Sequence, residues 1–213
     1  MIDSLLVIAK EPIPGRVKTR LVPPLTHEHA AHVAGAALAD TLRAGSAIPA
    51  RRHVLVLDGR PGTWLTPGWR LVPQAAGDLD VRLAAAFAAA AQGPALLVGM
   101  DTPQLQPRHL TAFDPEHFDA CLGPAADGGF WALSFRDPRN AAAAIAGVPM
   151  STAGTGAQQL RRLRALGLRV QLLDELRDVD TFDDAQEVAC LVPDSAFAHA
   201  VDTAARDRGA AVR

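Results

Sequence analysis

The chain has no tyrosine and only two cysteines among 213 residues. Cys121 and Cys190 stand in no paired motif, which excludes a disulfide framework or a cysteine zinc site and reads as structural thiols in a reducing compartment. No apolar run approaches the roughly 20 residues needed to span a bilayer. The apolar stretch after Met1 is also too short and too weakly flanked for a signal peptide. Formal net charge is -2 and there is no basic tail, so nothing global points to nucleic acid. The expectation is a soluble cytoplasmic protein that has neither a nucleic-acid nor a membrane partner. The sequence does not specify an oligomeric state.

Ready-made motifs are missing too. GRVKT resembles the end of a P-loop, but Val17 precedes Lys18 and Pro12 occupies the earlier glycine position. HEHAAH at 27–32 has Ala31 where a zinc helix needs its second histidine. GTG at 154–156 lacks a third glycine and follows no strand, so a dinucleotide fingerprint is unsupported.

What is present is alternation. The hydrophobic fraction is 49%, much of it alanine, which predicts helices with small, closely packed faces. SLLVI (4–8), HVLVL (53–57) and ALLVGM (95–100) are continuous apolar runs, the pattern of strands covered on both faces. RLVPQ (70–74), DACLGPA (119–125), FWALSF (130–135) and RVQLLD (169–174) read as further strands. Thr26 can cap a helix whose stripe is Ala30, Val33, Ala34, Ala37, Leu38, Thr41 and Leu42. Asp78 can cap the next, through Leu79, Leu83 and Phe87. Further helices are expected at a short segment opened by Pro107, around 138–146 and 155–166, from Thr181, and in the tail. This order predicts one α/β domain over 1–213, with helices on both sides of a mostly parallel sheet and antiparallel pairing near 119–135.

The candidate site comes from strand ends, because ligands of open α/β sheets bind outside the carboxyl ends of the strands. After the first strand comes AKEPIPGRVKTRL (9–21), with Lys10, Arg16, Lys18 and Arg20 in one loop. Gly15 lets backbone approach an anion, and Lys18 and Arg20 supply mobile and forked donors. Other strands end at Asp101, run into Asp127, or lead to Asp178 and Asp180. If these edges converge, cations and carboxylates face one crevice, the chemistry of a metal–phosphate site. Mg²⁺ or Mn²⁺ would take carboxylates from Asp101 and Asp180 together with substrate phosphates. Local readings compete: Asp101-Thr-Pro and Asp127-Gly-Gly are also turn formers, and Thr181 with Asp184 fits a capping box.

AKEPIPGRVKTRL, GDLDVR before LAAAFAAA, GMDTPQL, GPAADGGFWAL and DVDTFDDA occur in that order, over about residues 5–190. On these motifs the chain resembles a bacterial glycosyltransferase A-type, or nucleotide-diphospho-sugar transferase-like, family. Some of its members are named radical-SAM/selenodomain-associated or arsenosugar-biosynthesis transferases. The chain is also similar to guanylyltransferases of cofactor biosynthesis. The resemblance implies a Rossmann-like three-layer sandwich with an inserted antiparallel element, binding a nucleotide or nucleotide sugar beside a small acceptor. It maps phosphate binding onto Gly15, Lys18 and Arg20, and the metal onto Asp101 and Asp180. The nucleotide-binding set adds Lys10, Thr19, and Asp78 and Arg82 of GDLDVR; the catalytic candidates are Asp101 and Asp127. Three positions depart from the family pattern: Asp80 replaces a glycine, Phe130 a tyrosine, and Asp-Thr-Pro stands where glycosyltransferases show Asp-x-Asp. Three functions follow: glycosyl transfer from a nucleotide sugar, nucleotidyl transfer with release of pyrophosphate, and nucleotide binding without catalysis. Residues 59–69 and 136–156 are expected to shape the acceptor side.

Overall fold

The structure is a computed structural model and describes residues 1–90 and 92–211. Its centre is a seven-stranded sheet. In chain order the strands are β1 (Ser4–Lys10), β2 (Arg52–Asp58), β3 (Arg70–Pro73), β4 (Ala95–Val98), β5 (Ala120–Pro124), β6 (Phe130–Phe135) and β7 (Val170–Leu172). Their spatial order is β3-β2-β1-β4-β6-β5-β7. Only β6 runs against its neighbours, pairing antiparallel with both β4 and β5. The mostly parallel sheet with one antiparallel element is therefore as expected.

This single reversal positions the site. β1 and β4 are parallel, so their carboxyl ends share one edge. β6 starts at that edge, because Val98 at the end of β4 faces Ala132 near the beginning of β6. The turn between β5 and β6, carrying Asp127, must then stand beside the ends of β1 and β4. β7 is parallel to β5, and the chain beyond it continues along the same direction through an Ala125–Leu176 bridge. That delivers residues 178–180 to the same edge, where the Val179 amide donates to the Asp101 carbonyl at 2.9 Å.

Helices α1 (His27–Ser46), α2 (Leu79–Ala88), α3 (Pro107–Leu110), α4 (Ala141–Ile145), α5 (Thr155–Ala165), α6 (Phe182–Leu191) and α7 (Ala196–Ala211) complete the fold. One sheet face packs on α1 and α3, through Leu38, Leu42 and Leu110. The other packs on α2, α4 and α5, through Leu83, Phe87, Ile145 and Leu163. The stripe of α1 divides in two. Ala31, Ala34, Leu38 and Leu42 face the sheet. Ala30, Val33 and Ala37 instead meet α6 and α7 in a further helical layer. Small alanines on both sides let one helix serve two interfaces at close range.

Local signals hold at the helix starts. The Thr26 hydroxyl accepts from the His29 amide at 3.1 Å, and Thr181 with Asp184 forms the expected capping box. Asp78 occupies the N-cap of α2, but its side chain makes no capping bond. The 138–146 helix is a 3-10 turn (Pro138–Asn140) followed by α4. The Trp-rich excursion at 59–69 starts beside the loop after β1, where the Arg60 amide donates to Glu11 Oε2 at 2.8 Å, and ends on α1. Trp69 is buried on α1, donating from Nε1 to Ser46 Oγ at 2.9 Å. Among the described residues, no helix is long and apolar enough to cross a membrane.

A charged residue secures the added layer. Asp40 on α1 is buried and accepts from the amides of Ala196 (3.4 Å) and Phe197 (2.8 Å) at the start of α7. Helix N-terminal amides lack intrahelical partners, so this carboxylate serves as a cap donated from another helix. Asp40→Ala leaves those amides buried without acceptors. It is expected to lower stability by about 1–3 kcal/mol, read as a shift in the urea unfolding midpoint at unchanged slope.

Candidate functional site

A cleft of about 720 Å³ opens at the carboxyl edge of the sheet. Lys10, expected in the loop, ends β1 instead, paired with Asp58 of β2, and the loop after it supplies Arg16, Lys18, Thr19 and Arg20 to the lining. Asp101 comes from the end of β4, Asp127 from the β5–β6 turn, and Asp178 and Asp180 from the segment after β7. The expected convergence of strand-end cations and carboxylates is met.

Lys18 is the most constrained of the cations. Its backbone is left-handed at φ 48, an unusual state for a residue with a Cβ. Its side chain is only 7% exposed, pairs with the Asp101 carboxylate and donates to the Val179 carbonyl. Arg20 lies in the open, with Nη1 3.0 Å from Asp180 Oδ2. Gly15 adopts φ +76, a conformation open to glycine, but it is exposed and lies outside the cleft lining.

Asp178 belongs to the site with a weight the sequence did not give it. Its Oδ1 is buried and has no hydrogen-bond partner among the described residues. Burial pushes its carboxyl up to about 7, and repulsion from Asp101 and Asp127 adds to this; Lys18 pulls the other way, and Asp180 contributes a smaller upward push. The available signal was alternation. In an extended Asp178-Val179-Asp180 segment, a buried Val179 places the two carboxylates on the opposite side together.

Arg82 lines the cleft, and Gln74 holds it there. Gln74 Nε2 donates to the Ala9 carbonyl at 2.7 Å, and Gln74 Oε1 accepts from Arg82 Nη1 at 3.2 Å. Arg82 Nε is buried without a hydrogen-bond partner among the described residues. Asp78, grouped with Arg82 as nucleotide-binding, is exposed and stands outside the lining. It is the N-cap of α2, at the exposed start of the helix. Asp80 is occupied elsewhere: its Oδ2 accepts from the Gly147 amide at 2.9 Å and ties α2 to the turn after α4. That bond and one from the Val81 amide hold its carboxyl below the usual range.

Asp127 does the work of a turn residue, its Oδ1 accepting from the Gly129 amide at 2.7 Å. The turn is clamped from outside. The Gly156 amide donates to the Gly128 carbonyl at 2.8 Å, and a Cβ on Gly128 would overlap the Ala153 carbonyl. A Cβ on Gly156 would overlap the Gly129 carbonyl. The GTG at 154–156 is thus a backbone docking surface for this turn. The segment from Met150 to Ala153 joins the lining beside it, whereas 59–69 ends on α1 and does not line the cleft, so only part of the expected acceptor side faces the cleft.

The sequence sets Lys18 and Arg20 together in one loop as phosphate donors, and exposed loop cations are expected to contribute little to folding. Arg20, with a side chain 76% exposed, fits that expectation. Lys18 does not, because its charge is enclosed and ties three segments together. In urea titrations, Lys18→Ala is expected to lose roughly 1–2 kcal/mol after allowing for solvent screening at the exposed side of Asp101. Arg20→Ala should stay within about 0.5 kcal/mol of wild type.

Asp178 makes a pH signature. Its folded value near 7 lies above its ordinary 3.8, so folding takes up a proton between them. The associated stability is fully present below the ordinary value and is lost as pH rises toward 7. Asp178→Asn removes this dependence. With metal and nucleotide absent, the variant should melt near wild type at about pH 4 and above it at about pH 8. Parallel melting profiles across that range would rule out a raised Asp178.

The fold is similar to that of a provisionally assigned nucleotide-diphospho-sugar transferase from Desulfovibrio desulfuricans. The TM-score is 0.84 and identity 25%, over 99% of this chain and 96% of that one. It is also similar to 2-C-methyl-D-erythritol 4-phosphate cytidylyltransferase from Thermus thermophilus, with TM-score 0.56 and 18% identity over 94% and 99% of the two chains. A nucleotidyl transferase from Methanothermobacter gives TM-score 0.60 and 14% identity over 89% and 98%. No curated protein matches the chain. With a match that spans residues 32–152, more than half its length, the chain belongs to the DUF2064 family of uncharacterized proteins conserved in bacteria.

Proposed function

We propose that the chain is a metal-dependent transferase that binds a nucleotide sugar and moves its glycosyl group to a small acceptor. One observation carries this reading: the cations of the β1 loop meet strand-end carboxylates in a single cleft at the carboxyl edge of the sheet. The similar structures named as transferases support it.

Among the described residues, no three His, Cys, Asp or Glu side chains are already arranged to hold a metal ion. Mg²⁺ does not require that, since one or two carboxylates complete a shell otherwise made of water and phosphate. The donor set fits such a partial site, because Asp178 keeps a buried oxygen without a partner among the described residues, amid like charges. Asp101 and Asp180 would hold Mg²⁺ or Mn²⁺, which when bound would neutralise charge on a departing nucleoside diphosphate.

The protein's own groups do the rest. Lys18 and Arg20 are paired with Asp101 and Asp180 in the free protein, and would exchange those carboxylates for phosphate oxygens. Lys10 and Thr19 line the same side, and Arg82, braced by Gln74, adds a fixed guanidinium at another wall. Asp127 commits Oδ1 to its turn, so a role in orienting or deprotonating the acceptor hydroxyl falls to Oδ2.

Nucleotidyl transfer is the second reading. It is favoured by Asp101-Thr-Pro in place of Asp-x-Asp and by two similar structures named as nucleotidyl or cytidylyl transferases. The leaving group separates the two: a nucleoside diphosphate or pyrophosphate.

A melting-temperature panel of nucleoside triphosphates and nucleotide sugars, with and without Mg²⁺, tests the shared premise, since ligands of the native state raise its stability. At least one nucleotide should raise the midpoint more with Mg²⁺ than without. Arg20→Ala should weaken the same ligand by roughly 10-fold or more, the loss of a charge-assisted contact. No shift with any nucleotide would refute the reading.

A further inference from the structure

Only two non-glycine residues among those described have positive φ: Lys18 and Ser151. Both line the cleft. Such conformations persist only where the surroundings over-determine them, and they concentrate at functional sites.

The surroundings of Ser151 do over-determine it. Thr155 Oγ1 donates to the Pro149 carbonyl at 3.0 Å and accepts from the Thr152 amide at 3.0 Å. Thr152 Oγ1 accepts from the Gly154 amide at 3.3 Å. The Gly156 amide then fastens the whole segment to Gly128. Both threonine hydroxyls serve the loop itself. Ser151 is exposed, and its hydroxyl makes no hydrogen bond among the described residues. Its loop therefore holds a free donor and acceptor in a strained, fixed position facing the cleft.

The position indicates the ligand class. In the sheet order β1-β4-β6, the cationic loop and the clamped turn flank the end of β4 from opposite sides. Phosphates belong on the cationic side. The β6 side presents Phe130, Trp131, Met150, Ser151 and Thr152, and the charged groups beside them, Asp127 and the neighbouring Asp178, are carboxyls. The amides of Thr155 and Gly156, which could otherwise greet an anion at the start of α5, are taken by the Thr152 and Gly128 carbonyls. This wall suits an uncharged, hydroxyl-bearing group and opposes a second phosphate.

Resting on the nucleotide reading above, we infer that Ser151 is a specificity residue, whose hydroxyl binds the uncharged hydroxylated group attached beyond the diphosphate. That group occupies this wall whether a nucleotide sugar is the donor of glycosyl transfer or the product of nucleotidyl transfer.

The test compares nucleotide pairs differing only in that group: UDP and UDP-glucose, GDP and GDP-mannose, ADP and ADP-glucose. Affinities are measured by calorimetry with Mg²⁺ for wild type, Ser151→Ala and Ser151→Gly. Ser151→Ala keeps the backbone strain and removes the hydroxyl. It is expected to weaken the preferred nucleotide sugar by about 3- to 10-fold while leaving its nucleoside diphosphate unchanged, the range for one neutral hydrogen bond. Ser151→Gly suits the positive φ, so it should melt above wild type without ligand and still bind the sugar form more weakly. Equal loss for both members of a pair, or no loss for either, overturns the Ser151 assignment and leaves nucleotide binding intact. If no member of any pair binds wild type, the nucleotide reading fails and this inference fails with it.

Discussion

The cleft depends on the ion pair between Lys18 and Asp101. Lys18 leaves the loop after β1 in a left-handed turn, meets the carboxylate at the end of β4, and donates to the Val179 carbonyl beyond β7. Three segments far apart in sequence are thereby held at one edge of the sheet. A cation so enclosed is costly without partners, so the pair and the convergence of the chain are mutually required. Arg20 and Asp180 repeat the pairing at the surface, where solvent makes it weaker.

This gives the free cleft an internal charge balance, with Asp178 as its imperfect member. Lys18 and Arg20 each neutralise one carboxylate, and Asp178 is left half-buried among negative neighbours with its carboxyl pushed up to about 7. Cations and carboxylates that satisfy one another can be separated by a ligand carrying both charges, such as a nucleotide with its metal.

The far wall obeys a different constraint. There the contact is backbone against backbone, Gly128 and Gly129 against Ala153 and Gly156, with no room for a Cβ at Gly128 or Gly156. Rigidity comes from excluded volume and amide–carbonyl bonds, which hold Ser151 at positive φ. One wall is organised by charge and the other by steric fit.

Much of this was legible in the residues. Apolar runs marked the buried strands, Thr26 and Thr181 marked helix starts, and Asp127-Gly-Gly marked a tight turn, because periodicity, capping and turn chemistry act over a few residues. The basic loop after the first strand and Asp101 were legible as strand-end chemistry. Other features depended on which strands became neighbours. The place of β6 between β4 and β5 sets Asp127 beside Asp101, and no local pattern encodes that order. Burial of Lys18 and Asp178, the bracing of Arg82 by Gln74, and the exclusion of Asp78 and 59–69 from the cleft all arise from long-range packing. By itself the sequence determined the elements and the residue types at their ends. The tertiary structure alone decided which ends meet and which charges are enclosed, because desolvation and pairing belong to neighbours in space.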